Sequence, residues 1–501
     1  MSKVIFLLRT GNLLIAEQLP EELVTAFKRE FSFVEDIFLR GREAYQAKRE
    51  GRSLVQQKHH VLWSRDYQNR LMFPFGFWHR ATRCAQRFGY TVRIEDQTPV
   101  VADRHAKAFE PEWDRLADFD LRYGQREILE QLLKHPVGRI DVPPGVGKTY
   151  LLGALARLLP YARIDISTPG LPVLKNIYDE VRSFVGGVGL VGGGKRELKA
   201  RVRVISADSL NLAEGRADIF LADEAHRFGA DRFSTYASKY RLSRCFGLSG
   251  SFGQRRDGKD MRVEALFGPI IYQMKWAEAV RHQLIVPVKV EWSSVILDVN
   301  PCAAFTDTKR ERWGIWRNRE RNRLIAADAT QYSDEEQVLV VCRTVEHAAY
   351  LKKQLPQFTL VHAAGGMSDK DRDYYIRHDL ISPSEPVMTT ERLENIQNAF
   401  RRGTLKKVIA NSVWDAGVNF PNLAVLIRAD AGGGGVRDTQ IPGRTSRLGK
   451  EYSIVHDYLD QFDERYRNRA KTRFKNYGNH GWEQFSPDEA GRALLRRWRS
   501  R

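Results

Sequence analysis

From about residue 119 onward, short apolar runs alternate with longer segments of helical periodicity. Strands that alternate with helices in this way are typical of a parallel sheet covered by helices. The runs form two series, which predicts an α/β protein with two doubly wound sheets in tandem. The predicted strands are 139–142, 164–167, 202–205, 219–222 and 245–248 in the first sheet, and 338–341, 359–361, 407–410 and 424–427 in the second.

The first 110 residues follow a different pattern, which predicts a small α+β domain. Apolar runs at 4–8 and 90–94 predict strands, and apolar residues at helical spacing predict an amphipathic helix over 77–88. Basic and aromatic residues are interleaved between 65 and 80. Such a mixture can hold phosphates while rings stack on bases, but the same rings can also build a small core. Both interpretations stay open.

A polar stretch over 103–118 has the composition of a linker. The last 40 residues, from Phe462, hold 11 Lys and Arg against 5 acids. This surplus indicates either nucleic-acid backbone contacts or a solvated helix face. The expected organisation is a small leading domain over 1–110, a first lobe over 111–288, a second lobe over 289–460 and a basic tail over 461–501.

The charge of the chain is strongly positive. Lys and Arg number 80 against 62 Asp and Glu, a net charge of +18. An excess of this size favours a polyanionic partner, because each neutralised phosphate releases condensed counterions. General solubility is the alternative explanation. Hydrophobic residues make up 42% of the chain, which argues against wholesale disorder.

The four cysteines lie far apart and form no CxxC pair. This spacing argues against a disulfide framework or a structural zinc site and fits a reducing compartment. No apolar run approaches the length of a membrane span. We therefore expect a soluble, cytoplasmic protein without a membrane partner.

A glycine-rich turn directly follows the first predicted strand of the first sheet and precedes a predicted helix over 151–159. Backbone N–H groups of such a turn can curl around a triphosphate, and the helix dipole adds to the attraction. Lys148 would reach the β- and γ-phosphates, and Thr149 would hold Mg²⁺ through its hydroxyl. The residues expected to contact ATP here are Pro144, Gly145, Val146, Gly147, Lys148, Thr149 and Tyr150.

An acidic pair, Asp223 and Glu224, follows the predicted strand 219–222. Asp223 would anchor Mg²⁺, and Glu224 would orient and deprotonate the attacking water. A solvated acidic turn is the alternative, and the upstream glycine-rich turn argues against it.

A third motif begins at Gln440 and presents Arg444 and Arg447 three residues apart, at a predicted helix start. Guanidinium groups there can stabilise charge on the transferring phosphoryl group. The motif is weak alone. Its value comes from the order of the three motifs along the chain.

In this order the motifs resemble those of superfamily 2 helicases, over about 119–450. Members of that family close two RecA-like lobes over ATP and step along nucleic acid as ATP is hydrolysed. The stretch from Arg122 to Gln125 resembles the family's adenine-reading motif, which implies that both residues contact ATP. The aromatic residue of this motif lies one place early here.

Further short stretches resemble the family's coupling and nucleic-acid motifs. Ser249 and Ser251 are two hydroxyl residues around a glycine. They can exchange hydrogen bonds between the acidic motif and the second lobe. The resemblance implies coupling roles for His226, Ser249, Gly250, Ser251 and Gln440. It implies nucleic-acid contacts for Thr168, Pro169, Gly170, Ser206, Asp208, Arg343, Thr344 and Ser412. It also implies ATP contacts for Gly417 and for Asn419, where the family usually has Asp.

A narrower resemblance is to phage UvsW-type branch-migration helicases. It rests on the run 71–76 leading into 88–90, on the glycine turn at 192–195 and on the chain length. In that family a small leading domain binds duplex DNA and the motor remodels forks and junctions. The resemblance implies a Mg²⁺- and ATP-dependent DNA helicase of recombination and repair, in the cytoplasm of a bacterial host cell. R-loops are a further candidate substrate, and RNA stays open as a partner.

Two other interpretations stay open. The first is a nucleic-acid binding module with a spent ATPase, which the intact residues Lys148, Asp223, Glu224 and Arg447 disfavour. The second is the translocase subunit of a restriction system. No paired-carboxylate-plus-lysine nuclease signature stands in the first 110 residues, which makes this second alternative the weaker one.

Overall fold

The computed structural model describes residues 3–39, 41–98, 107–213, 215–253, 257–414, 420–433, 442–446 and 448–500. The chain forms two compact units: Met1–Val142 with Gly147–Met274, and Pro143–Val146 with Lys275–Arg501. Among the described residues, no helix is both long and apolar enough to cross a membrane.

The first unit begins with a five-stranded sheet in the order β5-β6-β2-β1-β7, in which β1 and β7 are parallel and the other pairs antiparallel. Buried side chains of two helices complete the core on one face of this sheet. The predicted strands at 4–8 and 90–94 and the helix over 77–88 are confirmed. The strands are β1 (Lys3–Thr10), β2 (Leu13–Ala16), β5 (Ser64–Arg65), β6 (Leu71–Pro74) and β7 (Tyr90–Asp96), and the helices are α1 (Glu21–Glu30) and α3 (Trp78–Arg87).

In the described part of the chain, two further strands of the N-terminal domain pair only with each other. β3 (Ser32–Phe38) and β4 (Val55–Val61) form a seven-pair antiparallel ribbon, and α2 (Gly41–Arg49) lies in the connection between them. We call β3, α2 and β4 together the ribbon.

The second sheet of the first unit has eight strands in the order β11-β10-β12-β9-β13-β14-β8-β15, all parallel to their neighbours except β11. Its five predicted strands are confirmed. The strands are β8 (Val137–Asp141), β9 (Ile164–Thr168), β10 (Gly189–Gly192), β11 (Lys195–Arg196), β12 (Val202–Ser206), β13 (Ile219–Asp223), β14 (Arg244–Ser249) and β15 (Ile270–Gln273). The helices are α4 (Gln125–Lys134), α5 (Lys148–Leu158), α6 (Leu171–Phe184), α7 (Asp231–Ala237) and α8 (Asp260–Phe267).

The N-terminal sheet and the eight-stranded sheet share one continuous hydrophobic core, which includes Phe73 and Phe77 on one side and Phe220 and Phe267 on the other. Polar contacts reinforce this packing. Arg80 on α3 donates two hydrogen bonds to Glu264 on α8, at 2.6 and 3.0 Å. Although burial alone would raise it, the pKa of Glu264 is lowered to about 2 by His79, Arg80 and Arg139. The N-terminal domain is therefore built into the first unit.

The second unit contains a seven-stranded sheet in the order β18-β19-β17-β20-β21-β16-β22, entirely parallel. Its four predicted strands are confirmed. The strands are β16 (Val288–Val295), β17 (Val338–Val341), β18 (Thr359–Val361), β19 (Lys407–Ala410), β20 (Val425–Arg428), β21 (Ser453–Asp460) and β22 (Glu483–Phe485). The helices are α9 (Trp276–Arg281), α10 (Asp307–Glu311), α11 (Arg319–Thr330), α12 (Val345–Gln354), α13 (Asp369–Arg377), α14 (Thr390–Arg402), α15 (Glu464–Asn479) and α16 (Glu489–Arg499).

The last forty residues are folded in the second unit. β22 pairs with β16, and α15 buries Arg473 and Tyr477. The predicted α/β fold with two parallel sheets after a small α+β domain is confirmed. The division of the chain at 110, 288 and 460 stays a prediction.

Candidate functional site

The glycine-rich turn connects β8 to α5, and both of these elements lie in the first unit. Gly145 and Gly147 have φ values of 101° and 92°, which only glycine adopts without strain. A Cβ added at Gly147 would lie 2.7 Å from Nε2 of Gln125, so the turn packs closely against this side chain. Lys148 begins α5, and its Nζ lies 3.5 Å from the carbonyl oxygen of Val142. The lysine ammonium group therefore lies near the start of the turn.

Gln125 is 1% exposed at the start of α4. Its Oε1 accepts a hydrogen bond of 3.0 Å from the backbone N–H of Arg122. The structure thus brings the predicted adenine-reading residues to the glycine-rich turn. Tyr150 is the third residue of α5. Its ring lies edge-on to the ring of Phe184, with the two centroids 4.8 Å apart. The contact of Tyr150 with ATP stays a prediction.

Asp223 is the last residue of β13 and is 6% exposed. Burial, and then the charge of Glu224, raise the pKa of Asp223 to about 7, while Lys148 opposes the shift. Only β14 separates β13 from β8. Because the carboxyl ends of parallel strands meet at one edge of a sheet, Asp223 and the glycine-rich turn lie at the same edge. We call the ends of β8, β9, β12, β13 and β14 the carboxyl edge of the first sheet.

Glu224 follows at φ 49°, a left-handed conformation that is unusual for a residue with a side chain. This geometry turns the chain sharply after the strand. Nδ1 of His226 lies 3.4 Å from Oε2 of Glu224 and 2.8 Å from Oγ of Ser249. The Ser249 hydroxyl also accepts from the backbone N–H of Ser251 at 3.2 Å. A chain of polar contacts therefore joins the acidic motif to the end of β14.

The residues at this edge fit a magnesium ion. A hydroxyl and a carboxylate are oxygen ligands of the kind that Mg²⁺ prefers, and Thr149 and Asp223 supply one of each. The raised pKa of Asp223 shows that burial disfavours its negative charge. A divalent cation would offset that cost. The ligand roles of both residues stay a prediction.

Asp141 at the end of β8 was not predicted as part of the site. Burial raises its pKa, while Gln273, Lys148 and Arg139 oppose the shift. Nε2 of Gln273 donates to its Oδ2 at 2.8 Å. The signal in the sequence was a carboxylate that precedes the glycine-rich turn by two residues, but a strand-end Asp is too common to be singled out.

Four predicted nucleic-acid contacts lie at the carboxyl edge. Thr168 and Ser206 end the neighbouring strands β9 and β12 and are paired in register. Oγ1 of Thr168 is buried, and no described residue accepts or donates a hydrogen bond to it. The carbonyl oxygen of Pro169 accepts from Arg227 at 3.3 Å, and Gly170 follows it with φ 112°. Whether these groups hold nucleic acid stays a prediction.

Asp208, also a predicted nucleic-acid contact, forms an ion pair with Arg232 at the protein surface. Both side chains are more than half exposed, so the pair is free to exchange with solvent. Gly250 lies between Ser249, the last residue of β14, and Ser251, and it is half-buried.

In the second unit, Arg343 and Thr344 follow β17 and Ser412 follows the neighbouring β19. Arg343 is exposed. The Thr344 hydroxyl accepts from the backbone N–H of His347 at 3.2 Å and so caps α12. This role requires a hydroxyl or short polar side chain whether or not nucleic acid binds. Ser412 begins a short 3-10 helix.

The predicted residues Gly417, Asn419, Gln440 and Arg447 lie outside the described residues. The backbone of Arg444 belongs to a 3-10 helix over Pro442–Arg444. Two buried neighbours fasten that helix to the second unit. The Thr445 hydroxyl lies 2.8 Å from the carbonyl oxygen of Pro442 and 2.9 Å from Oγ of Ser453, and the carbonyl oxygen of Ser446 accepts from Val286 at 2.9 Å. The finger roles of Arg444 and Arg447 stay predictions.

Glu224→Gln is expected to bind ATP normally and to hydrolyse it about 100- to 10,000-fold more slowly, the usual contribution of a general base. The amide keeps the shape of the side chain but cannot accept a proton. ATP affinity is read from a fluorescent analogue and turnover from phosphate release. Glu180→Gln on the exposed face of α6 is the matched control. Turnover near the parent rate in Glu224→Gln would reject Glu224 as the base.

Two family matches cover successive parts of the chain. Residues 118–253 match the family described as "Type III restriction enzyme, res subunit". Residues 321–449 match the family described as "Helicase conserved C-terminal domain". The first match contains seven strands of the eight-stranded sheet, and the second contains four strands of the seven-stranded sheet.

The chain is also similar to DNA 3'-5' translocase XPB2 of Sulfurisphaera tokodaii, with 24% identity over 333 residues that cover 62% of this chain and 74% of that protein. Among solved structures it is similar to S. cerevisiae Dbp5 bound to RNA and ADP BeF3, with 14% identity, coverage of 80% and 97%, and a TM-score of 0.51. An alignment with T4 UvsW covers 96% and 98% at 16% identity, with a TM-score of 0.42. The likeness to Dbp5 shows a shared fold. The two family matches and the similarity to XPB2 identify the chain as a superfamily 2 helicase, an enzyme that hydrolyses ATP.

Proposed function

We propose that this helicase is a DNA motor that uses Mg²⁺-ATP to remodel branched DNA such as forks and junctions. One observation carries the proposal. The Lys148 turn, the buried Asp223 and the His226–Ser249 hydrogen bond of 2.8 Å lie at one sheet edge, beside the paired strand ends at Thr168 and Ser206. The proposed ATP site and the proposed nucleic-acid contacts therefore lie at the same edge of one sheet.

Each of these side chains has a defined task in ATP hydrolysis. Lys148 binds the β- and γ-phosphates and compensates their charge. Thr149 and Asp223 would hold Mg²⁺, which supplies further positive charge to the phosphate oxygens when it is bound. Glu224 orients the attacking water and takes its proton. His226 and Ser249 relay a change at Glu224 to the end of β14, because both contacts use the same imidazole nitrogen.

DNA as the polymer is supported by charge and by similarity. The chain carries a net charge of +18, which suits a polyphosphate. The relative XPB2 is described as a DNA translocase. RNA is the competing polymer, since Dbp5 is a similar structure with RNA bound.

Activity on branched rather than linear DNA is supported by the N-terminal domain. This domain shares the hydrophobic core of the first lobe, so a duplex bound to it would be held at a constant position relative to the carboxyl edge. A motor with a second binding site at a fixed position can pull one arm of a junction while the second site holds another arm. The N-terminal domain and the carboxyl edge would then bind different arms.

The test is ATP turnover and strand remodelling on single-stranded DNA, duplex, fork, four-way junction and RNA–DNA hybrid of equal length. We expect the junction and fork to give the highest kcat/KM for ATP hydrolysis and to be converted to separated or exchanged products. Equal stimulation by linear duplex without strand exchange would contradict branch remodelling. Stimulation by RNA alone would contradict a DNA motor.

A restriction-type translocase is the second candidate, and the match of residues 118–253 to the type III restriction family favours it. Such a motor moves along duplex DNA without opening it. Displacement of a third strand from a linear triplex, with no unwinding of a fork, would select this candidate.

A further inference from the structure

The ribbon differs from the rest of the first unit in its burial. Its two strands pair only with each other, and most of their side chains are at least partly exposed on both faces. An isolated two-stranded ribbon is marginally stable in water. Its persistence here therefore requires an anchor at one end.

The anchor lies at the base of the ribbon. The ring of Phe33 stacks on His60 at 4.6 Å, and a Cβ added at Gly258 would lie 2.8 Å from the Phe33 ring. Glu35 contacts the ammonium group of Lys259 at 2.7 Å. His60 contacts Glu35 through Nε2 at 2.8 Å and the guanidinium of Arg262 through Nδ1 at 2.8 Å.

These contacts join the ribbon to the first lobe close to its motor residues. Lys259 immediately precedes α8, and Arg262 lies in the first turn of this helix. Both cations also contact Asp231, the first residue of α7, which directly follows the helical turn that holds His226. The ribbon is thus fixed to the segment that carries the acidic motif.

The distal end of the ribbon is apolar, aromatic and basic. Phe38 is 66% exposed and Tyr45 is 69% exposed, and Ile37 and Leu54 beside them are 38% exposed each. Residues 39–58 contain six Lys and Arg against two Glu, a surplus of 6 − 2 = 4. Exposed rings of this size in a segment with surplus positive charge mark an interaction surface, because large apolar side chains are otherwise drawn into the core.

We propose that the distal end of the ribbon binds the branch point of a nucleic acid, with Phe38 and Tyr45 stacking on the terminal base pair and the nearby arginines on its phosphates. This inference rests on the proposed function in that the motor acts on nucleic acid. The net positive charge favours a polyphosphate over a protein partner. The rings add a second requirement, since a ring can stack only on a base face that is open. Inside a duplex every base face is covered, but at a branch point one is exposed.

The attachment at its base fixes the ribbon to the first lobe. A ribbon held through Lys259 and Arg262 moves with the first lobe, so the branch point would stay at a constant distance from the carboxyl edge. Each translocation step then forces a base pair against the rings.

The experiment places 2-aminopurine at the branch point of a fork, in the middle of its duplex, or in its single-stranded arm. Binding of the full chain without ATP is expected to change the fluorescence of the branch-point probe most. Phe38→Ala/Tyr45→Ala is expected to reduce that change and to weaken fork binding by about 10-fold, from the worth of base–aromatic stacking. ATP hydrolysis stimulated by single-stranded DNA is expected to stay within about two-fold of the parent.

Three controls make the result specific. Tyr67→Ala removes a ring that is 90% exposed on the N-terminal domain but outside the ribbon, and it should leave the probe signal unchanged. Phe38→Trp keeps a stacking ring and should retain the signal, whereas Phe38→Leu should lose it. Unchanged far-ultraviolet circular dichroism would show that the double variant keeps its fold.

Two results would overturn the proposal. In one, the double variant binds the fork and shifts the branch-point probe as the parent does. In the other, the double variant loses the signal equally in the single-stranded arm, which would make the ribbon a general single-strand contact. Because the probe is read without ATP, failure here is distinct from failure of the proposed function, which would appear as a parent protein that no DNA stimulates.

Discussion

Lys148→Ala is expected to lower ATP turnover by at least about 100-fold, because even one uncharged donor to a reacting oxyanion contributes that much in a buried site. Lys148 begins α5 directly after Gly147, at the sheet edge where Asp223 lies. Its positive charge lowers the pKa of Asp223 against the larger effects of burial and Glu224. The alanine variant therefore loses the cation that faces the phosphates and also leaves the site with excess negative charge. Phosphate release at saturating ATP, with and without DNA, measures the loss.

The fold should survive this change, because the contact of Nζ with Val142 is 3.5 Å long and weak. The melting temperature is expected to stay within about 2 °C of the parent, since substitutions that remove no strong buried contact change stability by about 0.5 kcal/mol. Lys199→Ala, an exposed lysine of the same lobe, is the matched control and should retain full turnover. DNA-stimulated hydrolysis above a tenth of the parent rate in Lys148→Ala would show that the phosphates bind elsewhere.

The strands of both sheets could be predicted because a buried parallel strand has a continuous apolar run. Val338–Val341, Thr359–Val361 and Lys407–Ala410 have the predicted bounds. β16 and β21 were not predicted, although they lie side by side in the second sheet. Their sequences alternate apolar and polar residues and include buried charges such as Asp457 and Asp460, so the signal of a buried strand is diluted.

The site was predicted where chemistry depends on consecutive residues. The turn before Lys148 and the pair Asp223–Glu224 are both local patterns that a strand end positions. Contacts between distant parts of the chain were not predictable in this way. Asn12 hydrogen-bonds the carbonyl oxygens of Tyr240 and Ser243 at 2.7 and 3.0 Å, but nothing in its own neighbourhood marks an Asn as buried against a second sheet. The packing of the N-terminal domain on the first lobe depends on many such contacts.

The net charge of the C-terminal segment was similarly limited as a guide to which side chains are exposed. Its Lys and Arg surplus indicated nucleic-acid contacts or a solvated helix face, and charge counting treats every arginine alike. Arg473 is 1% exposed and is surrounded by acceptors of its own unit. A net charge does not distinguish a buried arginine that is paired with a carboxylate from a free one, because only the fold shows which charges are paired.

Arg473→Met is expected to destabilise the second unit by about 3–5 kcal/mol, the usual cost of leaving one member of a buried ion pair without its partner. Three donor–acceptor distances of 2.8 to 3.1 Å join the Arg473 guanidinium to the Asp457 carboxylate. Burial lowers the pKa of Arg473, but Asp457 outweighs this effect and the net shift is upward. The charged pair is therefore maintained although both side chains are buried.

The pair belongs to a larger network, which explains why the cost should be high. The Tyr477 hydroxyl donates to Asp457 at 2.8 Å and accepts from Arg428 at 2.8 Å, and Arg428 is paired with Asp430 at 3.0 Å. Arg473 also donates to the carbonyl oxygen of Gly432. Two arginines and two aspartates thus balance each other. Removing one cation leaves a net negative charge in the core, close to the chain that leads toward the arginine motif at 442–447.

Thermal unfolding of the second unit measures the effect. A loss of 3–5 kcal/mol corresponds to a fall in melting temperature of roughly 6–20 °C for a unit of this size. Lys471→Met, two residues earlier on the exposed side of α15, is the matched control and should melt like the parent. In Arg473→Met/Asp457→Asn both charges are absent, so we expect the double variant to lose clearly less stability than the sum of the two single changes. Additive losses would show that Arg473 and Asp457 do not stabilise each other, and that α15 is held in place by its apolar side chains alone.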